Sequence, residues 1–169
     1  MTGRLWYPQL DVYDGIRRMA GLLALWDRQK PPSPERLFIA DFYLANPPLL
    51  HNTHMQWEVR KRFRELAVSR PDHQFVAYPS SPILFQKMEA VQKQAFRTMS
   101  GKALLDLDRL EKGIVLPSAV GAELFEDSFL GLFTKSEREL AEFLVSVFAP
   151  AERDIAAIRR STGLRRLAR

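Results

Sequence analysis

The chain has 169 residues, a formal net charge of +5 and no cysteine. The absence of cysteine excludes disulfide scaffolds, thiolate zinc sites, iron–sulfur clusters and cysteine nucleophiles. Because no apolar run approaches about 18 residues and the first ten residues lack a signal-peptide pattern, we expect a soluble cytoplasmic protein with no membrane partner.

The excess of positive charge lies at the end of the chain. Residues 159–169 contain five arginines and no acid, and the rest of the chain carries 20 basic and 20 acidic side chains. Such a tail is typical of an arm that contacts nucleic acid or an acidic partner, and equally of a solvated, disordered end. The candidate nucleic-acid-binding residues are the arginines of this tail: Arg159, Arg160, Arg165, Arg166 and Arg169.

Local patterns predict the first two helices. Apolar residues recur at three- and four-residue steps over 11–26, which predicts an amphipathic helix with charged residues such as Arg18 facing solvent. Ser33 followed by Pro34 is typical of a helix start, and the helix predicted over 34–45 is apolar nearly all round. This second helix should lie at the centre of the core, where Asp41 needs a hydrogen-bonding partner on a neighbouring helix.

A third helix is predicted over about 53–69, because Thr53 and Gln56 match a capping box and Pro71 follows. Its buried face carries apolar residues such as Val59 and Phe63. Positions at 100° per residue put a tryptophan, three cations and a valine on or beside the opposite, outward face. These are the candidate protein-interface residues: Trp57, Arg60, Lys61, Arg64 and Val68.

The rest of the chain predicts more helices and little sheet. Further helices are expected over 81–99, 103–112, 134–149 and from Pro150 into the tail. A short apolar run at 114–116 is a candidate to pair with 75–78 as a two-stranded element. We therefore expect a mainly α fold with minimal β-structure: a helix-turn-helix or winged-helix-like body over 1–117 and a C-terminal helical extension with the basic tail over 118–169.

The sequence lacks the motifs of an enzyme. It has no glycine-rich phosphate loop, no G-x-S-x-G nucleophile elbow and no H-E-x-x-H zinc motif. His51 and His54 are spaced to reach one metal ion, but two ligands do not make a zinc site. The neighbouring acids Asp106 and Asp108 are typical of a solvated helix edge. We therefore predict a protein without catalytic residues, metal or cofactor.

Three interpretations of the outward face of the third helix remain open. Three consecutive helices with an apolar middle one match a helix-turn-helix, whose third helix would meet DNA phosphates through its cations. No Asn or Gln stands on that face to read base edges, whereas an exposed Trp framed by Arg is typical of a protein–protein hot spot. The third interpretation is that Trp57 packs on the C-terminal helices of the same chain.

Several segments of the sequence are similar to those of one bacterial family. They are Trp6-Tyr7-Pro8, the segments 14–25 and 35–44, Asn46-Pro47-Pro48-Leu49-Leu50, and a second block over 104–116 around Gly113. The chain resembles the middle components of ABC-ATPase three-component conflict systems and, within them, the LmuC-like subunit of the Lamassu anti-phage systems. These motifs describe a core helix rather than a site, so no functional residue is carried over.

The resemblance implies a subunit of a larger assembly. The chain would join an SMC-like ABC ATPase, which has a long coiled coil and binds DNA, to an effector that is often a nuclease. It would be a non-catalytic scaffold that helps to keep the effector inactive until foreign or plasmid DNA is sensed, with DNA contacted through the complex. The alternatives are a free-standing helix-turn-helix transcriptional regulator and a partner that masks a toxic effector.

Overall fold

A computed structural model describes residues 7–73 and 78–165. Within these residues the helices are α1 (Val12–Leu25), α2 (Pro34–Ala45), α3 (Trp57–Glu65), α4 (Ser81–Gly101), α5 (Leu107–Glu111), α6 (Ala119–Leu124), α7 (Lys135–Phe143), α8 (Ala149–Ala151) and α9 (Ile155–Thr162). Two π-helical turns, Phe125–Phe129 and Leu144–Phe148, continue α6 and α7, and 3₁₀ turns lie at Pro8–Leu10, Pro47–Asn52, Pro71–His73 and Leu130–Leu132. The prediction of a mainly helical fold is confirmed.

Helix α2 lies at the centre of the core, as its composition predicts. Every residue from 37 to 44 is buried, and the helix contacts α1, α4 and α7. The Ser33 hydroxyl caps α2 by accepting a hydrogen bond from the Arg36 N–H at 3.3 Å, and the Asp11 carboxylate caps α1 through the Asp14 N–H at 3.0 Å. Each cap satisfies a helix-end donor, typically worth about 1 kcal/mol, so local sequence is enough to set both starts.

Helix α7 begins at the predicted capping box. The Thr134 hydroxyl accepts from the Glu137 N–H at 3.2 Å, and the Glu137 carboxylate accepts from the Thr134 N–H at 2.9 Å. The helical path then continues through a π-helical turn into α8. The last helix begins at Ile155 rather than at Pro150, because Asp154 adopts an extended backbone and supplies the cap.

Helix α3 is shorter than the predicted 53–69. The Thr53 hydroxyl donates to the Leu50 carbonyl at 2.8 Å, so it does not cap the helix, and the predicted capping box is wrong. At the other end, Ala67 has a φ of +51°, which lies in the left-handed region and ends the helical path. The helix therefore spans only Trp57–Glu65.

A helical segment that the sequence pattern did not predict follows Ser118. It contains α6, a π-helical turn and a 3₁₀ turn, and it packs against α1. A Cβ atom at Gly121 would lie 1.9 Å from the Leu104 carbonyl oxygen, so only glycine allows this close approach. A Cβ atom at Gly21 in α1 would lie 2.2 Å from the Phe133 ring. Two glycines thus fix where this segment crosses the rest of the fold.

Strands are absent from the part of the chain that the structure describes. Leu105 and Pro117 form one isolated antiparallel bridge, and the Asp106 N–H donates to the Leu116 carbonyl at 2.9 Å. Most of the proposed partner run, 75–78, lies outside the described residues, so its pairing stays a prediction, as does the winged-helix character of the body.

The described residues on both sides of position 117 share one apolar core. Leu140 and Leu164 belong to the same buried cluster as Leu22, and Arg36 donates to the carbonyl of Ala149 at 2.8 Å. The division of the chain into 1–117 and 118–169 stays a prediction. No described helix is both long enough and apolar enough to cross a membrane.

Candidate interaction surface

The first residue of α3 is an exposed tryptophan. Trp57 is 69% exposed, and the Lys61 ammonium lies 5.5 Å from the centre of its ring. Residues four apart share one helix face, so this cation–π contact follows from the spacing. At this exposure the ring is not buried against the C-terminal helices, contrary to the interpretation that it packs there. The Trp57 ring and the Lys61 ammonium are instead both exposed to solvent.

The two arginines predicted beside Trp57 differ in their availability. Arg64 is exposed on α3. Arg60 is half-buried, and its guanidinium donates to the Thr53 carbonyl at 2.7 Å, which fixes the turn that leads into α3. The candidate surface therefore consists of Trp57, Lys61 and Arg64, with Arg60 at its edge. We call it the aromatic-basic surface.

Val68 does not lie on this surface. It follows the left-handed Ala67 and is half-buried against the apolar core. Its carbonyl forms a 2.8 Å hydrogen bond with the His51 imidazole, which also packs edge-on against Phe63. The prediction that Val68 shares a helix face with Trp57 is wrong, because the 100° rotation per residue holds only inside the helix.

His51 and His54 belong to no metal-binding group of the described residues. The His51 ring contacts the Val68 carbonyl and the Phe63 ring, and the backbone N–H of His54 donates to the Ser161 carbonyl at 2.8 Å. Among the residues that the structure describes, no group of three or more His, Asp or Glu side chains could hold a metal ion.

The first arginine of the basic tail is paired with an acid on α2 at the surface of the fold. Arg159 forms a two-pronged ion pair with Glu35, at 2.7 and 2.6 Å, and these hydrogen bonds and the charge raise the pKa of the guanidinium. After the left-handed Gly163 the Leu164 side chain is fully buried, whereas Arg160 is exposed. The guanidinium of Arg159 is therefore occupied by its ion pair with Glu35.

Nucleic-acid binding by the other arginines of the tail stays a prediction. Arg165 is exposed, and its carbonyl accepts a hydrogen bond from the Gln86 side chain at 2.5 Å. Arg166 and Arg169 lie outside the described residues.

A buried charged cluster connects three helices. Arg18 is 2% exposed and its guanidinium donates to the Asp41 carboxylate at 2.7 Å, so the expectation that Arg18 faces solvent is wrong. Gln92 of α4 donates to the same carboxylate at 2.8 Å and to the Phe38 carbonyl at 2.9 Å. The predicted inter-helix partner of Asp41 is thus confirmed.

This cluster is electrostatically satisfied. Burial alone would lower the pKa of Arg18, but the charges and hydrogen bonds of Asp41 and Asp14 outweigh that effect and raise it. Because Asp41 is fully buried, the arrangement serves helix packing rather than contact with a dissolved substrate. The isolated acid in an apolar helix was the sequence signal, but nothing local identified Arg18 as its partner.

An apolar groove that the sequence did not indicate opens between α1, the C-terminal end of α4 and the segment after α6. Its volume is about 600 Å³. Tyr13 at its mouth is 84% exposed and Leu132 is 59% exposed. Its apolar walls include Ile16, Met99, Leu104, Leu124 and Phe129. No residue of α3 lines it, so the groove and the aromatic-basic surface are separate.

Comparison with known proteins gives one result. No curated protein and no solved structure matches the chain. The model of the family described as ABC-three component (ABC-3C) system Middle Component 5 matches residues 4–155, which is most of the sequence. A middle component implies an ABC ATPase and an effector as partners. The chain therefore belongs to the family of middle components of ABC three-component systems.

Proposed function

We propose that this chain is a non-catalytic accessory subunit that bridges the ABC ATPase of a defence system to its effector. The observation that carries the proposal is the exposed Trp57 with Lys61 stacked on it, on a chain of the middle-component family. In finer detail, the system is of the Lamassu type. Its ATPase is SMC-like with a coiled coil, its effector is a nuclease, and the subunit helps to keep that effector inactive until DNA is sensed.

The composition of the aromatic-basic surface supports a protein partner. Hot spots at protein interfaces are enriched in Trp and Arg, because a large ring buries much apolar area while a guanidinium binds carboxylates with two hydrogen bonds. Trp57 and Arg64 supply both groups on one short helix. Exposure of the ring to water is unfavourable, and a partner that covers it would recover that free energy.

The charged groups that are already paired within the chain favour a scaffold over an enzyme. Arg18, Asp41 and Gln92 satisfy one another inside the helix packing, and Arg159 is paired with Glu35. We therefore assign these groups to stability, and the bond-making steps to the ATPase and effector components.

A second candidate function is that of a helix-turn-helix transcriptional regulator. The observation in its favour is the set of exposed cations on α3, namely Lys61, Arg62 and Arg64, which could meet DNA phosphates. The exposed part of the tail, Arg160 and Arg165, could add to this contact in either function. The presence of Trp57 in the same surface favours a protein partner instead, because phosphate contacts need charge rather than an apolar ring.

The test is co-purification of this chain with the ATPase and effector components encoded with it. Trp57→Ala should weaken assembly by roughly tenfold or more, as expected for a hot-spot residue, and should leave the thermal midpoint of the isolated subunit nearly unchanged. The matched control is Ile83→Ala, since Ile83 is a 56%-exposed apolar residue on α4. It should assemble normally.

Two outcomes would contradict the proposal. One is recovery of the wild-type chain without either component together with tight binding to operator DNA, which supports the regulator. The other is turnover of a substrate by the purified chain alone. A large drop in the thermal midpoint of Trp57→Ala would show that this residue serves folding rather than assembly.

A further inference from the structure

The groove beside Tyr13 is an apolar surface without a cover among the described residues. Tyr13 and Leu132 are among the most exposed large apolar side chains of the chain, at 84% and 59%. The groove between them descends to Met99 and Phe129 and has a volume of about 600 Å³. Exposed apolar surface of this kind marks sites of binding more often than it serves the monomer.

Two of the charged side chains that line the groove, Asp14 and Arg17, are paired within the chain, and a third, Asp11, caps α1. The Asp14 carboxylate accepts hydrogen bonds from Arg17 and Arg18, and the Arg17 guanidinium also donates to Glu137 at 2.9 Å. Lys102 follows the C-terminal end of α4, is exposed, and is absent from the ion pairs formed between described residues. Within the described part of the chain, the groove therefore offers apolar walls and, at its edge, the positive charge of Lys102.

We propose that this groove binds an amphipathic helix of a partner component, with the apolar face of that helix in the groove and one of its carboxylates paired with Lys102. The proposal rests on the proposed function, because it assumes that the chain assembles with the other components. It adds a second docking surface, distinct from the aromatic-basic surface on α3. A bridging subunit needs two such surfaces.

The chemistry of the groove favours a helix over other occupants. A peptide that binds by strand addition would need an exposed strand edge for its backbone hydrogen bonds, and no strand is present in the described part of the chain. Nucleic acid would place phosphates beside Asp11 and Asp14 on largely apolar walls. A groove between helices instead accepts apolar anchors spaced i, i+3 or i+4, and i+7.

The experiment uses the full chain co-expressed with the ATPase and effector components encoded with it. Leu132→Gln and Lys102→Glu should each weaken assembly with one of these components by roughly tenfold. The matched controls are Leu107→Gln and Lys87→Glu, because Leu107 is 52% exposed and Lys87 is exposed, and neither lines the groove. Both controls should assemble like the wild type, and all four variants should keep its thermal midpoint.

A photo-crosslinking amino acid at position 132 identifies the occupant. The expected adduct lies in an amphipathic helix of the ATPase or of the effector, next to an acidic residue. An adduct with a second copy of this chain, or no adduct in an intact complex, would overturn the groove proposal and leave the proposed function standing. Failure of the wild-type chain to bind either component would overturn the proposed function, and the groove proposal with it.

Discussion

The buried charged cluster and the aromatic-basic surface arrange polar and apolar groups in opposite ways. In the cluster, Arg18 and Asp41 lie deep in the core, and each finds its hydrogen-bonding partner in the same chain. On α3, the Trp57 ring is 69% exposed, and the Lys61 ammonium lies 5.5 Å from its centre. The charged cluster is therefore satisfied within the chain, whereas the Trp57 ring leaves apolar surface exposed that a bound partner would cover.

The largest expected effect tests whether the buried cluster stabilises the fold, and it comes from removal of the buried acid Asp41. Asp41→Ala should lower the free energy of unfolding by about 3–5 kcal/mol, because it leaves the Arg18 guanidinium buried beside an empty site. Urea unfolding of the isolated subunit measures the change. The control is Asp127→Ala on the exposed π-helical turn, which should stay within about 0.5 kcal/mol of the wild type. A loss below about 1 kcal/mol for Asp41→Ala would mean that the cluster is not needed for stability.

An intermediate effect is expected at the partly buried pair of Glu137 with Arg17. Burial tends to raise the pKa of Glu137, but the Arg17 and Thr134 hydrogen bonds outweigh it and hold the pKa below the ordinary value of 4.5. Its contribution to stability is therefore present above pH 4.5 and is lost as the pH falls through the lowered pKa.

The replacement Glu137→Gln tests this pH dependence. It should cost about 0.5–1 kcal/mol at pH 7, as is usual for partly exposed ion pairs, and less at pH 3. Thermal unfolding between pH 3 and pH 7 measures both values. Glu139→Gln, on the exposed side of α7, is the control. An equal cost of Glu137→Gln at both pH values would contradict the assignment.

The smallest effect is expected on the aromatic-basic surface. Lys61→Ala should change the free energy of unfolding by about 0.5 kcal/mol or less, because a cation–π contact at an exposed site contributes no more. Chemical denaturation of the isolated subunit measures it, with Lys87→Ala on α4 as the control. A loss above about 1 kcal/mol would assign Lys61 to the fold rather than to an interface.

Features set by neighbouring residues were predictable from the sequence. Ser33 and Pro34 define the start of α2, and Thr134 with Glu137 defines the start of α7, because a cap needs only residues within one turn. Asp41 could be recognised as a buried acid for the same reason, since all its helix neighbours are apolar.

Features set by distant contacts were not predictable. Arg18 is 23 positions from Asp41, and a helix projection cannot tell which charge turns inward to meet a buried acid. Val68 leaves the helix face because Ala67 takes a left-handed conformation that the sequence usually marks with glycine. The groove depends on Gly121 meeting the Leu104 backbone, a contact between segments with no shared periodicity.

The burial of residues 37–44 of α2 has a consequence for the segment that carries the family resemblance. Eight of the ten residues over 35–44 are buried, so this segment serves the packing of the core. Trp57 and Leu132 are exposed and lie outside this segment, so exchanges at these two positions would leave the buried helix unchanged. The segment that carries the family resemblance and the exposed apolar side chains therefore lie in separate parts of the chain.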